Sequence, residues 1–301
     1  METSNKTPSP RDRDNFLAAN EALKWPFLRV QDGRLFVQYL EMPVTTRCTL
    51  QCRDCIARVP YLPDQKHFTL PFDLFKKDLD SFLACITKLN FFKFIGGEPM
   101  FAPDFDAMFE YAVAQKKIVK VNINSNCTIL PSERLLSLLV KHKNKSWLTL
   151  SNYSHVSPRC KESYDTFIAL ARKHNIEVST TDSLPWRDHG KMKQRQRTDR
   201  ELVLMFRHCF SSRCTSLFDG RLHCCNASGV LERLATKPVL REDEVVQVRG
   251  VKPSHLKESL IDFYAGICRR PFTACDYCAG HERRVIDSAI QTDQLLKIEF
   301  A

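Results

Sequence analysis

A chain of 301 residues with 43 % hydrophobic and 27 % charged content has a globular composition, enough for one large domain or a large and a small one. No run of about 18 apolar residues exists to cross a membrane, and the polar start Met1–Asp14 lacks a secretory signal's apolar core, so a cytoplasmic protein is expected. The formal charge of +10 favours anionic small-molecule partners over lipid, although the basic run Lys191–Arg197 is more often a solvated linker than a binding face.

In chain order, residues 1–15 read as unstructured and Phe16 to Leu28 as a weak helix carrying Trp25. Asp32-Gly33 predicts a hairpin turn, and Phe36 to Val44 the first strand of the main sheet. Leu70-Pro71 starts a helix with Phe72, Phe75, Leu79, Phe82 and Leu83 at helical spacing. Phe91 to Ile95 is the second strand, Pro103 to Gln115 a helix, and Ile118 to Ile123 the third strand. Ser132 caps the next helix; Trp147 to Leu150 is the fourth strand, Lys161 to His174 a helix and Ile176 to Thr180 the fifth strand. A sixth strand is read at Leu202 to Phe206. Such alternation predicts parallel pairing, as an open doubly wound sheet or a barrel, with ligands at the strand ends. Those ends carry a cysteine loop, Glu98, Asn124 and Asn126, then Ser151 and Asn152. Any single Asn there is ordinarily a satisfied turn residue; their shared placement points to a ligand.

Thirteen cysteines in a chain read as intracellular point to metal rather than disulfides. Cys85, Cys127 and Cys160 stand alone and read as small buried hydrophobes. Cys48, Cys52 and Cys55 form C-x3-C-x2-C, three thiols within eight residues. A structural zinc site takes four ligands, usually as two separated pairs. An iron–sulfur cubane held by three cysteines leaves one iron open, so ligand count and softness favour iron–sulfur. Downstream, the apolar run Phe91–Ile95 breaks into Gly96-Gly97-Glu98-Pro99, where glycine lets backbone approach a ligand closely.

The cysteine motif followed by Gly-Gly-Glu-Pro resembles the radical S-adenosylmethionine (SAM) enzymes. The resemblance implies an α/β fold, an incomplete (β/α)6 barrel. It further implies a [4Fe–4S] cluster on Cys48, Cys52 and Cys55 whose open iron binds SAM, with Gly96, Gly97 and Glu98 along the methionine and Asn126 and Ser151 as further SAM contacts. The implied reaction is reductive cleavage of SAM to a 5′-deoxyadenosyl radical, with an electron donor such as flavodoxin or ferredoxin. Many members carry an aromatic residue before the third cysteine, where this chain has Asp54.

Cys209-x10-Gly220-x4-Cys225, followed by Cys275-x2-Cys278, resembles the twitch or SPASM domains that hold auxiliary clusters. By spacing alone this four-thiolate set suits zinc or iron–sulfur. The resemblance implies one auxiliary [4Fe–4S] cluster, with Cys214 able to replace Cys209 and with Cys224 and Cys268 spare. The expected layout is an N-terminal extension at 1–38, the partial barrel at 39–205 and a small cysteine-rich auxiliary-cluster domain at 206–301. The small size resembles enzymes that modify sugars or aminocyclitols. Oxidation is favoured; epimerisation, with unligated Cys268 donating hydrogen, is the alternative, because a ligated thiolate has no hydrogen to give. Two other readings are peptide maturation and a zinc-stabilised nucleic-acid-binding protein, the latter prompted by the basic charge; nucleic acid is the less expected partner.

Overall fold

In the computed structural model, which describes residues 28–181, 186–236, 239–279 and 284–299, β1 (Leu28–Gln31) turns back into β2 (Arg34–Thr45). Asp32 and Gly33 both take positive φ, 50° and 69°, as a tight two-residue hairpin requires. The expected helix around Trp25 lies outside the described residues.

Four helix–strand units follow: α1 (Phe72–Ala84) with β3 (Lys88–Gly96), α2 (Phe105–Ala114) with β4 (Ile118–Ser125), α3 (Glu133–Lys141) with β5 (Ser146–Leu150), and α4 (Pro158–Lys173) with β6 (Val178–Thr180). Strands β2 to β6 pair in parallel in sequence order, the five strands expected. Local chemistry starts the helices. Ser132 Oγ accepts from Leu135 N at 2.9 Å, and Ser157 Oγ from Cys160 N at 3.1 Å, with Pro158 in the first turn.

Leu202–Phe206 is not a sixth strand; it lies within α5 (Asp199–His208). The deciding signal is a capping box just upstream. Thr198 Oγ1 accepts from Glu201 N at 3.4 Å, and Glu201 Oε2 accepts from Thr198 N at 2.7 Å. Leu202, Met205 and Phe206 then fall on one buried helical stripe.

The sheet continues on the far side of β2. β8 (Ser216–Phe218) meets β2 in parallel through Glu41 and Ser216, and turns at Asp219-Gly220 into antiparallel β9 (Arg221–His223). β10 (Val246–Gln247) pairs with β9. Residues before and after position 206 therefore share one sheet, ordered β10-β9-β8-β2-β3-β4-β5-β6, with β1 also on β2. The remaining elements are α6 (Asn226–Leu234), α7 (Pro253–Gly266), short α8 (Thr273–Asp276), and a separate pairing of β7 (Trp186–Arg187) with β11 (Val285–Ile286).

One sheet face is apolar. Leu40, Met42, Val44, Phe92, Phe94, Val121, Ile123, Leu148 and Leu150 are each no more than 1 % exposed and pack with Phe75, Phe82, Phe109, Leu139 and Phe167 of α1 to α4. The side chains of successive strand residues alternate between faces, and the other face carries a polar row. Cross-strand pairing sets Ser216, Glu41, Lys93, Asn122 and Trp147 side by side. Arg249 joins the layers: Nε and Nη2 each donate at 2.7 Å to the fully buried Asp78 of α1, and Nη2 reaches Asp219 at 3.0 Å. Cys85, Cys127 and Cys160 are buried, as expected.

Candidate active site

The cysteine loop leaves the carboxyl end of β2, and two glycines hold its entry. A side chain on Gly96 would put Cβ 2.1 Å from Thr45 O, and one on Gly97 would put it 2.1 Å from Arg47 O. Gly97 N donates to Thr45 O at 2.8 Å, and Glu98 N to Arg47 O at 2.9 Å. The end of β3 thus lies directly on the backbone that begins the loop, a spacing only glycine allows.

Glu98 is fully buried and ties β3 to β4. Its carboxylate accepts from Ser125 Oγ at 3.0 and 3.1 Å, Asn126 N at 2.8 Å and Met100 N at 3.3 Å. Burial outweighs these bonds and pushes its carboxyl up to about 7. Ser151, buried past β5, joins the same strand ends through Ser151 N to Ser125 O at 2.9 Å.

Two sulfurs of the loop have their own donors. Cys48 Sγ accepts from Asn126 Nδ2 at 3.3 Å and Leu50 N at 3.4 Å. Cys52 Sγ accepts from Gln291 Nε2 at 3.3 Å. Cys55 is held through its backbone: its carbonyl oxygen accepts from Arg58 N at 3.0 Å and its N–H donates to Cys52 O at 3.1 Å. Burial, with a smaller push from Cys55, raises the Cys48 and Cys52 thiols to about 12; burial raises Cys55 as well. Three thiolates gathered here need a cationic partner, while the N–H donors suit sulfurs that stay charged. The donor set therefore fits an iron–sulfur cluster. Among the described residues no three His, Cys, Asp or Glu side chains meet as a single-ion site; a cubane places its thiolates on separate irons. Arg58, buried just after the loop, donates to Gly190 O at 2.8 Å and His189 O at 3.0 Å. Asp54 pairs at the surface with Arg53, 3.0 Å away.

In the second group, burial first and then the neighbouring charges of Cys225, Cys278 and Cys209 raise the Cys275 thiol, and Cys225 and Cys209 are also among the charged neighbours of Cys214. Cys225 precedes α6; the neighbouring Cys224 thiol, then the amides of Ser228 and Ala227, hold it below its ordinary value. Burial, then the neighbouring Glu41 carboxylate, raises the Cys214 thiol. Cys268 lies just past α7, raised by burial, with Arg207 and Arg269 rather than cysteines as its charged neighbours.

Two features escaped sequence reading. Tyr153, beyond β5, meets Trp186 edge-on with ring centroids 5.8 Å apart; burial first, then the neighbouring charges of Cys52, Cys55 and Cys48, raises its phenol. The polar row is the other. Glu41 accepts from Tyr39 Oη at 3.3 Å and lies 4.0 Å from Lys93 Nζ, Asn122 Nδ2 donates to Thr149 Oγ1 at 3.1 Å, and Ser216 Oγ is buried without a hydrogen-bond partner. Its signal was present in the sequence as Glu41 and Lys93, single charges inside apolar strands.

This is a mixed α/β fold with a parallel sheet, consistent with a radical SAM-like fold. No family model matches the chain, and no curated protein matches it. Among solved structures, BtrN in complex with AdoMet and 2-DOIA aligns with 86 % of this chain and 96 % of its own, at TM-score 0.53 and 14 % identity. Native anSMEcpe with bound AdoMet and Cp18Cys peptide aligns with 48 % of this chain at TM-score 0.38 and 20 % identity. That alignment spans 42 % of the anSMEcpe chain. The likeness to BtrN is one of fold. Among the described residues no helix is long and apolar enough to cross a membrane.

Proposed function

We propose that this chain is a radical SAM enzyme, with Cys48, Cys52 and Cys55 holding a [4Fe–4S] cluster and SAM on its open iron. The cysteine loop carries this reading: three thiols at the carboxyl edge of a parallel sheet, the Cys48 and Cys52 sulfurs each given an N–H donor, with the loop entry fixed by Gly96 and Gly97. When bound, the cluster supplies the electron that splits SAM into methionine and a 5′-deoxyadenosyl radical able to take hydrogen from substrate. Asn126 and the loop amides stabilise charge on the sulfurs, and Glu98 holds the ends of β3 and β4 against the loop. BtrN, similar in fold, was solved with AdoMet bound.

The substrate we favour is a small sugar or aminocyclitol. The row of Glu41, Lys93 and Asn122 offers donors and acceptors to a polyhydroxylated or amine-bearing molecule on the face away from the helices. Oxidation is favoured over epimerisation: Cys209 or Cys214 with Cys225, Cys275 and Cys278 would hold an auxiliary cluster as electron acceptor, in an auxiliary domain at 206–301 beside a partial barrel at 39–205. A flavodoxin or ferredoxin would supply the initiating electron, in the cytoplasm. The test is anaerobic reconstitution with iron and sulfide, then dithionite and SAM, with chromatography for 5′-deoxyadenosine. Stoichiometric zinc and no 5′-deoxyadenosine would refute the proposal and favour a zinc-stabilised nucleic-acid binder; turnover only with a peptide would move the substrate class.

A further inference from the structure

Residues 288–296 lie along the cysteine loop. Arg53 N donates to Ile290 O and Thr292 N to Gln51 O, both at 2.8 Å, an antiparallel bridge centred on Cys52 and Gln291. His155 Nε2 meets Ser288 O at 2.9 Å on one side, and Leu296 N donates to Pro60 O at 2.7 Å on the other.

The Gln291 amide is locked within this strap. Oε1 accepts from Gln51 N at 2.9 Å, while Nε2 donates to Ala289 O at 2.6 Å and to Cys52 Sγ at 3.3 Å. Turned over, the amide would set its NH2 against the Gln51 N–H and its oxygen against a carbonyl and a sulfur. Only one orientation is satisfied, and it aims N–H at the sulfur. Cys48 receives its donors from Leu50 in the loop and Asn126 just past β4; Cys52 receives its donor from 239 positions away.

We infer that Gln291 is a positioning residue for the cluster on Cys48, Cys52 and Cys55: the strap docks on the loop, and the Gln291 N–H on Cys52 raises the cluster's reduction potential. The inference rests on the cluster reading above. A donor to a ligating sulfur stabilises the more negative, reduced state over the oxidised one.

The experiment is an EPR-monitored redox titration of the reconstituted full chain, following the signal that changes when SAM is added, for wild type, Gln291→Leu and Gln291→Glu. The midpoint is expected to fall in that order, because leucine removes the donor and glutamate adds negative charge. A merely structural strap gives no such order, and coincident midpoints overturn the inference. Absence of a SAM-sensitive signal in wild type would instead overturn the cluster reading. Should either variant fail to load, amide hydrogen exchange in the loaded wild type decides: slow exchange at Arg53 and Thr292 supports the docked strap, and fast exchange refutes it.

Discussion

Glu98→Gln isolates the electrostatic cost of the carboxylate that ties β3 to β4. Its folded value of about 7 stands above the ordinary 4.5 because the group is completely buried. A raised acid contributes stability that is fully present below pH 4.5 and is lost as pH climbs to about 7. The size of the shift corresponds to about 3 kcal/mol across that window. Glutamine keeps the shape but cannot ionise. It also turns an NH2 toward one of the donors at Asn126 or Met100, a cost of about 1–3 kcal/mol that does not vary with pH. Urea unfolding of the metal-free protein from pH 4.5 to 8 supplies the measurement. Wild-type stability minus variant stability should fall by about 3 kcal/mol over that range. Glu41, Glu244 and Asp78, also raised by burial, titrate in both proteins and cancel. A difference independent of pH would refute the reasoning.

A Cys48/Cys52/Cys55 triple alanine variant should keep about half of the roughly eight irons and eight sulfides expected of two cubanes; retaining none would collapse two sites into one. Arg249→Leu leaves Asp78 buried without its cation and should cost about 2–4 kcal/mol by urea unfolding, with partial recovery in Asp78→Leu/Arg249→Leu; a loss indistinguishable from zero would show that the clamp is not stabilising. Lys93→Met should raise KM for the turned-over substrate by about tenfold to a hundredfold with iron content unchanged, whereas an unchanged KM would take the row out of substrate binding. For turnover in deuterated water, a product lighter by a pair of hydrogen atoms and free of deuterium is expected. Deuterium at the reacting carbon, lost in Cys268→Ala, would establish epimerisation.

The five parallel strands and their helices were legible because each buries one face, leaving a period of two or of 3.6 in the apolar residues. Asp32-Gly33 was legible because its turn demands positive φ at both residues. Leu202–Phe206 was misread because a five-residue apolar run fits either period; the capping box that decides it lies outside the run. The cysteine loop could be read from spacing, but not its surroundings. Gln291 reaches Cys52 only through folding of the whole chain, and nothing in the spacing brings Tyr153 toward the cysteines. Nor could spacing reveal that the hairpin after Cys214 extends the main sheet, since β8 touches β2 through a single residue pair.

That pair also sets the relation between the two cysteine groups. Glu41 pairs with Ser216, Glu41 N donates to Thr215 O at 2.9 Å, and Thr215 Oγ1 donates to Tyr39 O at 3.2 Å. Cys214, next in line, has Glu41 as a charged neighbour. The first group leaves the same strand beyond Thr45. Four residues of β2 therefore separate the two departures, about 13 Å at about 3.3 Å per residue. Because both groups are referenced to one strand, this spacing does not depend on a flexible linker. Slipping β8 by one residue would turn Ser216 to the apolar face and take Cys214 from Glu41. The intervening length of β2 presents Glu41 and Pro43 on the face away from the helices. On the function proposed above, a substrate held there would stand between the SAM site at the strand end and the cysteines proposed to hold an electron acceptor, the arrangement a two-electron oxidation needs.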